Sequence, residues 1–345
     1  CKLEITVPTS GSVSTTSTVI DCAAGATCTI DIADIFFNET FEADPAAGFV
    51  FDGWKTKHRA FCGGSSAPCQ LETSGFAGIP ALTAILNDPS EVFYLEPSFK
   101  STGFDSLFIG HSFFAPFVNG MPAHTANANI PNHTQSLVFG GGATGTPQAL
   151  WENTSRRNSI QAVLDTGTVE MFGMTYHPDY PTTEGYENWI DYALSKNPNT
   201  RFFIGLPWLT TPASFNATTY GDLWLGFHSG AWHAFIDQLR ALYPGIDIAC
   251  IPYGQTAVEL RDLLADNNLP DVTGLTGAAA QSIFTDTLGH PGHILRDTGR
   301  LVWLNAIYGV DLATYSHDPG YITDLKAMAQ AIMDEHDPSY DGDYH

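Results

Sequence analysis

From about residue 101 onward the chain alternates short apolar runs with longer amphipathic segments, and no other feature limits its fold as much. The runs SLFIG (106–110), SLVFG (136–140), TVEMFGM (168–174), RFFIGLPW (201–208) and IDIACIPY (246–253) are rich in branched and aromatic residues. Their length and composition predict strands. Helical periodicity covers 183–196, 218–243 and 255–266, with further helices near 294–307 and 321–335. Strands that alternate with helices pair in parallel, because each return needs a crossover, and the crossovers lay helices on both sheet faces. The expectation is an α/β domain of three layers over 101–345. Ligands of such sheets bind beyond the carboxyl ends of the strands, and Ser112 lies two residues past the first of them.

The first hundred residues have a different character. LEITVP, GSVSTTSTVI, TCTIDI and GFVFDGWK are strand signals broken by Gly, Ser and Pro, which predicts a small all-β module over 1–100. Four of the six cysteines fall here, as Cys22/Cys28 and Cys62/Cys69. Separations of six and seven residues are wrong for a C-x-x-C metal or redox motif and suit small disulfide loops. Sequence alone does not fix the connectivity, although local pairing is the simplest choice. Disulfides imply an oxidising compartment, hence a secreted, periplasmic or cell-surface protein. The segments VIDCAAGATCTIDI and ADPAAGFVFDGWK resemble bacterial extracellular repeat modules with an IDCG…C loop and a GYVFxGW strand, which implies a structural or anchoring role. A chain starting at Cys1 resembles a processed bacterial lipoprotein. The lipid would then sit on Cys1 and tie the protein to an outer membrane; a start of no significance is the alternative. Cys250, inside IDIACIPY, reads as a buried strand thiol.

Charge narrows the partners. With 14 basic and 37 acidic residues the formal charge is −23, a surface that repels nucleic acid, anionic lipid and polyuronates. No run of 18 apolar residues occurs. The sequence lacks a P-loop, a dinucleotide-binding G-x-G-x-x-G, an H-E-x-x-H and an EF-hand loop, so neither a cofactor nor a catalytic metal is expected. His228 and His233 are five apart on a predicted helix, an offset of about 500° that puts them on different faces. His290, His293, Asp286 and Asp297 would be the alternative ligand set.

A serine hydroxyl needs a histidine to take its proton and a carboxylate to orient that histidine. FTDTLGHPGH (284–293) supplies Asp286 and His290 four residues apart in a Gly/Pro-rich loop before a helix, with His293 as a competing base. Beside Ser112, His111 is expected at the surface, Phe113, Phe114 and Phe117 in the core. Trp208, Trp224 and Trp232 read as packing residues, although Trp208 follows a strand end and would be placed to line a cleft.

Together these segments resemble the SGNH (GDSL-type) serine hydrolases over about residues 103–310. FIGHSF matches the first block, GGATGTP (141–147) the second and FTDTLGHPGH the last; the LVWLNAIYG helix follows. The resemblance implies a three-layer, flavodoxin-like hydrolase domain with Ser112 as nucleophile, His290 as base and Asp286 as its partner. It also implies an oxyanion contact from Gly145. Two departures stand out. One extra residue separates Asp286 from the His-Pro pair. In MFGMTYHPDY (171–180), Thr175 stands where the third block brings an asparagine, so that contact falls to Thr175, Tyr176 or His177, or to the amides of Ser112 and Gly145 alone. The implied activity is hydrolysis of a carboxylic ester, from a small ester or an acylated glycan, through an acyl-enzyme. The alternative is a surface binding or adhesion protein with a catalytically reduced hydrolase fold. The missing asparagine favours it; the survival of Ser112, Asp286 and His290 argues against it.

Overall fold

The computed structural model describes residues 1–46 and 48–342, so Ala47 of the ADPAAGFVFDGWK segment and the last three residues lie outside it. The chain divides into two compact units, Cys1–Thr102 and Gly103–Gly342.

The first unit holds eight strands: β1 (Lys2–Thr6), β2 (Gly11–Thr15), β3 (Thr27–Asp31), β4 (Asn38–Pro45), β5 (Phe49–Trp54), β6 (Cys69–Glu72), β7 (Val92–Leu95) and β8 (Pro97–Ser101). They form three small sheets, β3-β1-β7, β2-β4-β6 and β5-β8. The pairing is antiparallel except between β1 and β7. Alternating burial along β1 and β2 sends Leu3, Ile5 and Val13 into a core with Phe41, Trp54 and Leu95. The unit is not purely β: Pro80–Leu86 forms a helix, α1, started by its proline and anchored through buried Leu86. Cys22–Cys28 and Cys62–Cys69 are disulfide-bonded, the local pairing. Cys1 is half-buried, its Sγ 3.6 Å from the Ile32 carbonyl.

The second unit is built on five strands: β9 (Asp105–Gly110), β10 (Thr134–Phe139), β11 (Met171–Thr175), β12 (Arg201–Gly205) and β13 (Ile248–Ile251). All neighbours are parallel, in the order β10-β9-β11-β12-β13. β9, β11, β12 and β13 are buried almost throughout, as a sheet covered on both faces requires. The chain winds one way from β9 to β10 and the other way from β11 on, so right-handed crossovers place helices on both faces. The first crossover carries α2 (Ala115–Val118) and α3 (Met121–Asn127). Later ones carry α4 (Pro147–Glu152) with α5 (Thr154–Leu164), α6 (Glu184–Lys196), and α7 (Ala217–Gly226) with α8 (His233–Leu242). After β13 come α9 (Gln255–Ala265), the short parallel pair β14 (Gly274–Thr276) and β15 (Ser282–Phe284), α10 (His293–Tyr308) and α11 (Leu325–Glu335).

Two features depart from expectation. The helix expected over 218–243 is three pieces, because a π-helical turn, Phe227–Trp232, separates α7 from α8. The helices α4 and α5 went unread in the sequence because α5 (TSRRNSIQAVL) buries only Ile160 and Leu164, too little for a periodic signal. Around the sheet's centre, Phe108, Phe114, Phe117 and Phe203 pack against the Trp303 ring of α10.

Candidate active site

Reversal of winding opens a crevice beyond the carboxyl ends of β9 and β11, and Ser112 sits at it, between β9 and α2. Gly110 ends the strand for a packing reason: a Cβ there would meet the Phe114 ring at 2.5 Å. Phe114, one turn on, therefore folds under the sheet while Ser112 faces out. The turn is pinned at several points. The His111 carbonyl accepts the N–H groups of Phe114 and Ala115, both at 3.0 Å. The Tyr253 hydroxyl donates to the Phe113 carbonyl at 2.9 Å.

His111 is not the surface residue the sequence suggested; it is 3% exposed. Its Nδ1 accepts the Phe113 N–H at 3.2 Å and its Nε2 lies 3.0 Å from the Tyr176 carbonyl. An N–H on Nε2 satisfies both contacts, which makes the ring neutral. Burial holds its pKa down at about 4, against the Tyr176 hydrogen bond, with His177 and His290 nearby adding to the depression.

The loop after β15 brings the other two groups to Ser112. His290 Nε2 is 2.9 Å from Ser112 Oγ, and His290 Nδ1 is 2.6 Å from Asp286 Oδ2. The second carboxylate oxygen of Asp286 accepts the N–H groups of Leu288, Gly289 and His290 at 2.9–3.1 Å. Desolvation pushes the Asp286 carboxyl up, but the His290 and Gly289 hydrogen bonds more than offset it, and its pKa lies below the ordinary value. The same loop is tied at its flanks. The Thr285 N–H reaches the His290 carbonyl at 2.7 Å, and Trp208 Nε1 donates to the Gly289 carbonyl at 2.8 Å. His293 is exposed as the first residue of α10, and the structure brings His290, not His293, to the serine.

Gly145 closes a 3-10 turn, Gly142–Gly145, directly against the end of β9. A Cβ at this position would lie 2.6 Å from the Gly110 carbonyl oxygen and 2.4 Å from that of Gly140, so only glycine fits. Thr175 ends β11 fully buried, its hydroxyl 3.3 Å from His111 Nε2. Tyr176 and His177 follow it into the crevice wall.

A cleft of about 440 Å³ opens on one side of Ser112, walled by Phe113, Tyr176, Trp208, Phe215, Phe227 and Leu288. Phe113 and Trp208 stack at 4.9 Å, so both rings are core and cleft wall at once. On the other side lies a shallower depression of about 390 Å³, bordered by Asn119, Thr285 and Arg296. Ser112 thus stands between an enclosed apolar cleft and a more open depression, itself largely apolar, that carries polar side chains at its border. Sequence reasoning had no means to find Phe215, Phe227 or Arg296, because only the folded chain brings them near the serine.

No protein-family model matches the chain, and no curated protein does, so neither sequence resemblance is carried by a family match. Solved structures similar to it include a DUF4886 family protein from Bacteroides uniformis, 15% identical over 67% of this chain and 95% of that one, with a TM-score of 0.43. The periplasmic domain of a Salmonella ser. Paratyphi A lipopolysaccharide acetyltransferase is 15% identical, covers 46% of this chain and 69% of its own, and has a TM-score of 0.31. A Clostridium thermocellum family 3 carbohydrate esterase is 13% identical over 66% of this chain and 99% of its own, with a TM-score of 0.36. Likenesses this weak say nothing of this chain's substrate.

Proposed function

We propose that the protein is an exported serine esterase that hydrolyses carboxylic esters, of small molecules or of an acylated glycan, through an acyl-enzyme. The reading rests on one observation above the others: the unbroken relay from Ser112 Oγ through His290 to Asp286, with separations of 2.9 and 2.6 Å. These are hydrogen-bond distances in the order that activates a serine.

In this mechanism Ser112 Oγ attacks the ester carbonyl carbon as its proton passes to His290 Nε2. Asp286 holds Nδ1–H and so presents Nε2 as the base; it then stabilises the imidazolium that forms. Negative charge on the carbonyl oxygen turns toward the amides of Ser112 and Gly145. Thr175 contributes through His111, which its hydroxyl faces, and Tyr176 and His177 border the same space. Collapse of the tetrahedral adduct breaks the bond to the alcohol, which leaves with the proton from His290. Water then loses a proton to His290, attacks the acyl-Ser112 carbonyl, and releases the acid with the serine restored.

The apolar cleft suits an acyl or leaving group larger than acetyl, and Asn119, Thr285 and Arg296 at the border of the open depression offer hydrogen-bond partners to a hydroxylated one. Two disulfides support an oxidising compartment, which accords with secretion or attachment at Cys1. A second reading, a binding protein with a reduced hydrolase site, draws on the Thr175 hydroxyl being engaged with His111 where the family brings an asparagine. A serine-directed organophosphate separates the two: an esterase is labelled at Ser112, and a binding protein is not.

A further inference from the structure

The π-helical turn after α7 has a consequence away from the serine. In a helix bonded i to i+5, residues five apart come over one another, and the expected separation of His228 and His233 on opposite faces fails for that reason. Their rings lie 4.7 Å apart between centroids. Cys250 on β13 and His336 just after α11 complete the group, with His336 Nε2 3.7 Å from Cys250 Sγ. One ligand atom from each of the four residues lies within 4.8 Å of the others. All four are buried: His228 is 7% exposed, His233 9%, Cys250 2% and His336 6%.

Burying this many polar groups together is costly unless something satisfies them. His228 Nε2 and His233 Nε2 have no hydrogen-bond partner. Neighbours fix the ring planes without answering those nitrogens. Trp224 stacks on His228 at 4.7 Å and Tyr340 on His233 at 3.7 Å. Carboxylates stand outside, with Asp341 3.5 Å from His336 Nε2 and Asp237 accepting the Tyr340 hydroxyl at 2.9 Å.

We infer that His228, His233, Cys250 and His336 form a structural site for a divalent ion of borderline softness, zinc above all. Three imidazoles and one thiolate are a donor set for tetrahedral zinc, closed to solvent and so without an open catalytic position. Zn–N distances of about 2.0–2.1 Å and a Zn–S distance of about 2.3 Å place tetrahedral ligand atoms roughly 3.3–3.8 Å apart. The four side chains therefore draw in by about an ångström when the ion binds. His228 Nε2, buried and without a hydrogen-bond partner, is free to meet a metal. Cys250 gives up its proton, and each ion bound releases about one proton. The ion joins α8, β13 and the segment after α11 to the π turn, whose first residue, Phe227, lines the cleft beside Ser112.

The test uses the whole protein, stripped with a chelator and titrated with cobalt(II), then with zinc(II). One equivalent of cobalt should give intense visible bands of tetrahedral coordination and a near-ultraviolet thiolate-to-cobalt band, and one equivalent of zinc should abolish both. Zinc should also raise Tm by a few degrees (~2–8 °C). Cys250→Ser should remove the thiolate band, and His228→Ala should weaken zinc binding by about 10²-fold or more. Folded wild type that takes up no stoichiometric cobalt, or a thiolate band that survives in Cys250→Ser, overturns the assignment. If Cys250→Ser does not fold, the wild-type spectrum decides alone: the thiolate band supports the site and its absence refutes it. Ester hydrolysis by Ser112 is not needed for any of these readouts.

Discussion

Asp286 does two jobs with its two oxygens. One meets His290 Nδ1, and the other gathers three backbone N–H groups of its own loop. Asp286→Asn can keep the loop contacts but presents the wrong partner to the imidazole if its amide faces Nδ1, so kcat should fall by about 10²–10⁴ with little change in Tm. Asp286→Ala also frees the loop and should lower both. Steady-state kinetics beside thermal melts distinguish the two effects. His293→Ala should leave kcat within about twofold, whereas His290→Ala should abolish turnover; equal losses would mean that the base is misassigned. The meeting of Ser112, Asp286 and His290 was legible in the sequence because a serine nucleophile, its base and an orienting acid are the residue types that a relay would require. His111 was misread. A histidine beside a serine just past a strand end looks like surface, and only the fold shows that it turns inward to the Tyr176 carbonyl.

At the level of elements, the loop between β15 and α10 has to hold His290 at the serine. Trp208, at the end of the β12 run, is one of its anchors through the Gly289 carbonyl. Trp208→Phe keeps the stacking on Phe113 but leaves that carbonyl without its donor. Stability should fall by ~0.5–1.5 kcal/mol, read from the urea midpoint, and kcat should drop by about tenfold if the loop's position governs His290. A loss of stability with kcat unchanged would show that the other loop contacts suffice. The strands of the second unit were readable because buried parallel strands are short apolar runs, and β9, β10 and β12 begin within two residues of expectation. The π turn was not readable. Nothing in FHSGAWH distinguishes a π from an α turn by local propensity, so packing decides it, and with it the approach of His228 to His233.

For the whole molecule, pH acts through neutral buried histidines as well as through the acidic surface. His124, on α3, is buried with Nδ1 3.0 Å from the Tyr315 hydroxyl. Burial, aided by His317 and Arg300 and opposed by Asp297, lowers its pKa to about 4. Between the unfolded value near 6.5 and about 4, the unfolded chain binds a proton that the folded chain refuses. Stability from this group is therefore complete above about pH 6.5 and is lost as pH falls toward 4, on the order of 3 kcal/mol in all. The His124→Gln variant lacks this dependence. The stability of wild type relative to the variant should decline by that amount from pH 7 to pH 4 in urea titrations; a constant difference would contradict a neutral His124.

The central claim is that Ser112 is a nucleophile activated by His290. The direct test is hydrolysis of short-chain nitrophenyl and acetylated-sugar esters at roughly pH 8 by wild type and Ser112→Ala, with organophosphate labelling of the same two proteins. The account predicts turnover and a label on wild type, and a loss of about 10³-fold or more with no label on Ser112→Ala. Folded wild type that neither turns over these esters nor takes the label, or a Ser112→Ala protein as active as wild type, would contradict it.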